Sequence, residues 1–229
     1  MACKAGVAAS VGPSQDRQLV HRLIHCNSAD EVLDQYESTA DEYESYFLSN
    51  AYDAHRLAAA AVLRLFPKHG PVSRGDLSVM DVACGTGLVA QVLHDAGVVH
   101  LDALDASSKM IEISRARGVY RRLIQDTIGS HRIDVQDNTY DAVTVAGGFV
   151  QGHLPVTAFD EMIRICKPGG YIVNSMRFEY LVTVKEYHEL EPHMDRLERA
   201  GLWRQVDRYV TDGYFQHVKQ GITHVYQKL

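Results

Sequence analysis

The chain has 229 residues, 46% of them hydrophobic, and a formal net charge of -6. That length suits one substantial α/β domain rather than two, and an acidic chain with no basic face argues against unaided binding to long nucleic acid. The four cysteines (Cys3, Cys26, Cys84, Cys166) form no C-x-x-C pair, and no run of about eighteen apolar residues occurs, so a disulfide framework, a metal site and a membrane span are all unexpected.

Residues 1–14 are small and weakly apolar, and read as a disordered tail rather than a signal peptide. Residues 15–70 read as a helical cap. A short helix is expected over 18–24, and Asn27-Ser28-Ala29-Asp30 offers N-cap chemistry for a helix over 31–36. An acidic run rich in aromatics follows, with Tyr36, Tyr43, Tyr46, Phe47 and Tyr52. Tyr36 and Tyr43 are seven residues apart and share one helical face. Tyr46 and Tyr52 are expected to pack the cap onto the domain. The strongest helix covers 55–66, stopped by Pro67 and Gly70.

The core begins at residue 71 and runs to 229. Val79, Met80, Val82 and Ala83 make a short apolar strand interrupted by Asp81. Cys84-Gly85-Thr86-Gly87 is a tight turn. Leu88, Val89, Val92 and Leu93 then recur at helical spacing as far as Gly97. A second strand over 98–104 ends on Asp105. Ala106-Ser107-Ser108 caps a helix that reaches Arg117 and stops at Gly118, and a third strand over 120–125 is closed by Asp126. Residues 127–139 are irregular. A fourth strand over 140–146 ends on Gly147-Gly148, and Pro155 opens a helix to Cys166. Lys167-Pro168-Gly169-Gly170 breaks that helix before a fifth strand over 171–176. A helix over 186–200 ends at Gly201, and two β-rich runs, 203–211 and 222–227, are joined by a glycine-containing loop, hence antiparallel.

Strand, glycine turn, helix and strand ending on an acid form a βαβ nucleotide-binding unit within a doubly wound α/β sheet. By itself that unit serves a nicotinamide cofactor as well as any other adenosine-bearing ligand. Asp81 inside the first strand, the Lys-Pro-Gly-Gly break and the antiparallel terminal pair argue against the nicotinamide oxidoreductase.

Five motifs in order carry a resemblance: Asp81 to Gly87 as D-x-x-x-G-x-G, Leu104-Asp105-Ala106-Ser107, Gln125-Asp126, Tyr140-Asp141-Ala142-Val143, and Lys167-Pro168-Gly169-Gly170. Tyr36 to Tyr43 adds a Y-[DE]-x-x-A-x-x-Y pattern. The chain resembles the class I S-adenosylmethionine (SAM) dependent methyltransferases from about residue 33 onward. The resemblance implies a Rossmann-like sheet of seven strands, mostly parallel, in the order 3-2-1-4-5-7-6 with the last antiparallel, below an N-terminal lid.

It also implies a cofactor site. Gly85 and Gly87 would let the backbone approach the methionine end, and Asp81 would hold its amino group. Asp105 would take the ribose hydroxyls, and Ala83, Thr86 and Ala106 would also bind the cofactor. Asp126 or Thr127 would meet the adenine, Met110 would line the pocket, and Ala146 and Gly147 would flank the transferable methyl. Tyr36 and Tyr43 would close the lid.

Methyl transfer from a sulfonium needs alignment and exclusion of water more than a base. His153 is the candidate base or orienting group, and Phe149, Arg177, Tyr180 and Tyr214 are candidates to face the acceptor. Gly147-Gly148-Phe149 stands where nucleic-acid amino-methylating enzymes carry [DN]-P-P-[YFW], and no Pro-Pro or Pro-Cys dipeptide occurs. A small molecule or a protein side chain is therefore the expected acceptor. A SAM-binding sensor or partner protein without catalysis would carry the same glycines and acids. A monomer in the cytosol or nucleus is expected.

Overall fold

The computed structural model describes residues 26, 28–215 and 218–229. The tail over 1–14, the helix expected over 18–24, Asn27 and His217 lie outside the described residues.

One helix, α1 (Ala29–Ser49), replaces the separate short segment expected at 31–36. Ser28 caps it by accepting from the Glu31 N–H. The helix tolerates its many hydroxyl residues because they bond back onto the preceding turn, as Thr39 Oγ1 does to the Gln35 carbonyl at 2.6 Å. Val32, Tyr36, Ala40, Tyr43 and Phe47 recur at three- and four-residue spacing and form its inner face. Helix α2 (Ala54–Leu65) follows, one residue earlier at each end than its apolar run implied.

The remaining elements are β1 (Ser78–Val82), α3 (Leu88–Asp95), β2 (His100–Asp105), α4 (Ser108–Arg117), β3 (Arg122–Gln125), β4 (Tyr140–Ala146), α5 (Ala158–Ile165), β5 (Cys166–Arg177), α6 (Tyr180–Thr183), α7 (Leu190–Arg199), β6 (Trp203–Phe215) and β7 (Val218–Lys228). The sheet order is β3-β2-β1-β4-β5-β7-β6. The first five strands are parallel, and β7 runs antiparallel between β5 and β6. One face packs Val79, Ala142, Val173 and Val225 under the alanine-rich side of α2 and under α3. The other packs Met80, Val143 and Ile172 against Phe159 and Met162 of α5 and Met194 of α7.

Several boundaries differ from expectation. Helix α5 starts three residues after Pro155, in a turn where Thr157 Oγ1 donates to the Gly129 carbonyl. Lys167 to Gly170 do not separate helix from strand. They form an irregular entry to β5, whose pairing with β4 shifts between Tyr140 and Ala142. The last helix begins at Leu190 rather than 186, after a 3-10 turn over Lys185–Glu189. Pro192 explains this, since it lacks an N–H and fits only where no intrahelical donor is needed, in the first turn. Strand β3 is shorter than expected because Tyr120 leaves the strand path and turns its hydroxyl to Asp81.

Candidate active site

The carboxyl ends of β1, β2 and β4 meet where the glycine turn leaves β1, which is where open α/β sheets bind ligands. The turn needs left-handed backbone, with φ of +54° at Gly85 and +86° at Gly87, the latter being the N-cap of α3. A side chain added at Gly85 would meet nothing within 4 Å, so the backbone is open to a ligand there. Thr86 Oγ1 is buried beside it without a hydrogen-bond partner.

Asp105 ends β2 and folds back on this turn. One of its carboxylate oxygens accepts from the Gly85 N–H at 2.8 Å, the other from the Ser107 N–H at 2.9 Å. Burial raises its pKa despite these donors, and the Glu37 carboxylate adds to the effect. A carboxylate has about four acceptor positions, so capacity remains for a further donor.

Asp81 is 1% exposed. Tyr120 donates to its Oδ2 at 2.6 Å and Thr144 to its Oδ1 at 3.2 Å. Burial dominates and lifts its pKa to about 7 against the pull of the two hydroxyls, with Asp105 contributing.

Other residues expected at the site take the following places. Ala83 has a left-handed φ of +51° just after β1. Ala106 precedes Ser107, the N-cap of α4, and the Ser107 Oγ accepts from the Met110 N–H while Met110 is buried. Asp126 follows β3, accepts from the Thr127 N–H at 2.8 Å and meets the His131 ring. Ala146 ends β4, and Gly147, φ +68°, donates to the Ser175 carbonyl.

Above this edge lies α1, tethered by two acids the sequence did not single out. Glu37 accepts from Ser107 Oγ at 2.9 Å, Ser108 Oγ at 3.1 Å and the Lys109 N–H at 3.3 Å, so it sits on the N-terminus of α4. Burial pushes its carboxyl up, but these hydrogen bonds outweigh burial and hold it below its usual value. At the other end of α4, Glu44 pairs with Arg117, whose Nε donates to the Thr86 carbonyl at 2.8 Å. The only signal for Glu37 was its place inside the tyrosine pattern.

Beneath α1 is a cavity of about 40 Å³ walled mainly by aromatic rings, Tyr36, Tyr43, Tyr52, Tyr180 and Tyr214 among them. Tyr52 does more than pack the cap: a Cβ built on Gly147 would lie 2.1 Å from its hydroxyl. Burial raises the Tyr36, Tyr43 and Tyr214 hydroxyls well above their usual range and Tyr52 to about 12, so all are neutral donors. Phe149 reaches the cavity wall but is fully buried and stacked on Phe159 at 4.8 Å. His153 stands behind Tyr36, outside the cavity wall. Its Nδ1 meets the Gln151 carbonyl at 2.8 Å, which makes Nε2 the acceptor for the Tyr36 hydroxyl at 2.9 Å. Burial lowers its pKa and keeps it neutral. Among the other histidines, His188 is exposed, whereas His193 is half-buried against Asp160 at 2.8 Å.

A methyltransferase-domain family model matches residues 79–170. Human methyltransferase-like protein 27 is 36% identical over 188 residues, covering 78% of this chain and 72% of that protein. The chain belongs to the SAM-dependent methyltransferase family. The demethylmenaquinone methyltransferase of Renibacterium salmoninarum is 38% identical over 96 residues, 42% of this chain and 39% of that protein. In fold, the magnesium protoporphyrin IX methyltransferase of Synechocystis PCC 6803 with bound S-adenosylhomocysteine (SAH) superposes at a TM-score of 0.65, with 13% identity, over 88% of this chain and 99% of that one. A SAM-dependent methyltransferase from Aquifex aeolicus gives 0.56 and 19% over 84% and 98%.

Family membership removes the nicotinamide reading and makes SAM the cofactor. The residues present fit it: an open backbone at Gly85, the orphan hydroxyl of Thr86, and spare acceptor capacity on Asp105. No helix among the described residues is long and apolar enough to cross a membrane.

Proposed function

We propose that this methyltransferase acts on a small molecule enclosed beneath α1, with Asp105 holding the ribose and Asp81 the amino end of SAM. The observation that carries this reading is the cavity itself. Its aromatic walls include Tyr36 and Tyr43 of α1 and adjoin Gly147 at the end of β4, a geometry suited to a molecule that enters whole. The demethylmenaquinone methyltransferases among its relatives are named for small-molecule acceptors too.

Bound SAM supplies an electrophilic methyl on its sulfonium. The chain's own task is to align the acceptor's nucleophile in line with the methyl–sulfur bond and to exclude water. The ring cluster excludes water, and the neutral tyrosine hydroxyls orient polar groups of the acceptor. His153 acts through Tyr36, accepting a hydrogen bond from its hydroxyl and fixing that hydroxyl over the cavity. Met110 and Ala106 flank the ribose side, and Asp126 with Thr127 receives the adenine amino group.

The small size of the cavity favours one other reading, a SAM-binding protein whose closed pocket carries no acceptor. One experiment separates the two. Isothermal calorimetry is expected to show SAM and SAH binding far more tightly than NAD, and Asp105→Ala losing on the order of ten- to hundredfold in affinity, the worth of a hydrogen bond to a charged acceptor. Labelled methyl from SAM should then appear in the metabolite fraction of a cell extract. Label confined to the protein fraction would overturn the small-molecule acceptor, and binding without any transfer would favour the sensor.

A further inference from the structure

The cavity holds one charged side chain, Arg177, at the carboxyl end of β5. Its side chain is 13% exposed, yet among the described residues its guanidinium makes no hydrogen bond to any protein group. Its one ion pair among the described residues is with Glu179, at 3.8 Å and half exposed to solvent. Two ring faces lie beside it, Tyr180 at 5.2 Å and Phe215 at 5.5 Å from the guanidinium carbon. That long ion pair leaves most of the five N–H donors of a largely buried guanidinium free to bind a ligand acceptor. The Tyr180 hydroxyl, on the same wall, is buried and equally without a partner. Two donor groups that make no hydrogen bond among the described residues thus border one cavity whose other side chains are apolar or aromatic.

We propose that the acceptor of this methyltransferase is a small monocarboxylic acid with a flat apolar body, its carboxylate held by Arg177 and the Tyr180 hydroxyl. The inference rests on the small-molecule reading above and gives it a substrate class. A guanidinium offers parallel N–H donors that match a carboxylate. A single cation balances a single negative charge, which favours a carboxylate over a phosphate dianion. About 40 Å³ accommodates a carboxyl-sized group or a few waters while α1 is closed, so the body of the acid enters as α1 lifts. The carboxylate serves as an anchor. Tyr52 and Tyr214, whose hydroxyls lie over Gly147, separate it from the point where the methyl is delivered.

The test uses the full chain loaded with SAH and matched probes: benzoate, phenylacetate and 3-phenylpropionate, each against its amide, with phenyl phosphate as the dianionic arm. Ligand-observed NMR titration is expected to show at least one acid binding about tenfold or more tighter than its amide. Arg177→Gln should abolish that preference while SAH affinity stays within about threefold, on the same worth of a charged hydrogen bond. Tyr180→Phe should weaken the acid and leave the amide unchanged, which guards against a folding defect in the arginine variant. Acids and amides binding alike, no acid binding, or phosphate binding best would each overturn the carboxylate assignment. Failure of SAH to bind would instead overturn the underlying reading of the site.

Discussion

Asp81→Asn is expected to stabilise the fold and damage the function. The Asp81 carboxyl lies in β1, and burial, the main cause, pushes its pKa up from the ordinary 3.8 to about 7. The folded state therefore prefers the protonated form. Below about pH 4 the group is protonated folded or unfolded and costs nothing. As the pH rises towards 7 the unfolded chain ionises it while the fold resists, and stability falls by about 4 kcal/mol over that interval.

An amide removes this penalty and keeps the contacts. Its oxygen accepts from one of the Tyr120 and Thr144 hydroxyls, and its NH₂ donates to the other. Re-ordering that pair costs about 1 kcal/mol, so the net gain above pH 7 should be about 2–4 kcal/mol. Urea denaturation of both proteins at pH 8 and pH 5 measures it, with the gain at pH 5 less than half that at pH 8. The same substitution should weaken SAH about tenfold, because an ammonium group loses its charged partner. Wild-type affinity should rise between pH 6 and 8, and that of the variant should not. An amide variant no more stable than wild type at pH 8, or one with a pH-independent gain, would refute the argument.

Gly147→Ala places a methyl 2.1 Å from the Tyr52 hydroxyl and at a φ of +68°, so it should displace Tyr52 and cut transfer at least tenfold. Adding Tyr52→Phe should recover part of the loss, because the nearest remaining ring atom lies at 3.3 Å; steady-state kinetics of the two variants reads the coupling. Glu37→Gln weakens the hydrogen bonds that hold α1 on the N-terminus of α4. Hydrogen exchange of residues 36–46 should speed up about tenfold without ligand, on the worth of a charged hydrogen bond, and slow again with SAM. Exchange unaffected by ligand in wild type would mean that α1 does not open and close over the site.

The features legible in the sequence were local ones. The left-handed turn at Gly85 and Gly87, the Ser107 cap, the Gly118 stop and the limits of β4 each follow from what a few neighbouring residues can do. Misplaced boundaries had local causes that pattern reading overlooked. Pro192 belongs in a first turn, so it sets where the last helix begins, and Thr39 bonds back onto α1, so the hydroxyl-rich run stays helical. The C-terminal hairpin outran its hydrophobic pattern because edge strand β6 alternates exposed residues on a strand that pairs along its length with β7.

By itself, then, the sequence determined the order of strands and helices along the chain and the glycine turn flanked by Asp81 and Asp105, because periodicity, caps and glycine turns act over a few residues. The tertiary structure alone decided which groups separated by long stretches of chain meet. Glu37 reaches Ser107 across 70 residues, Tyr36 reaches His153 across 117, and Tyr52 comes to lie over Gly147. It also decided which groups lack a hydrogen bond among the described residues, Tyr180 and the loosely paired Arg177 above all. Burial and satisfaction of polar groups depend on everything packed around them, and no local pattern encodes that.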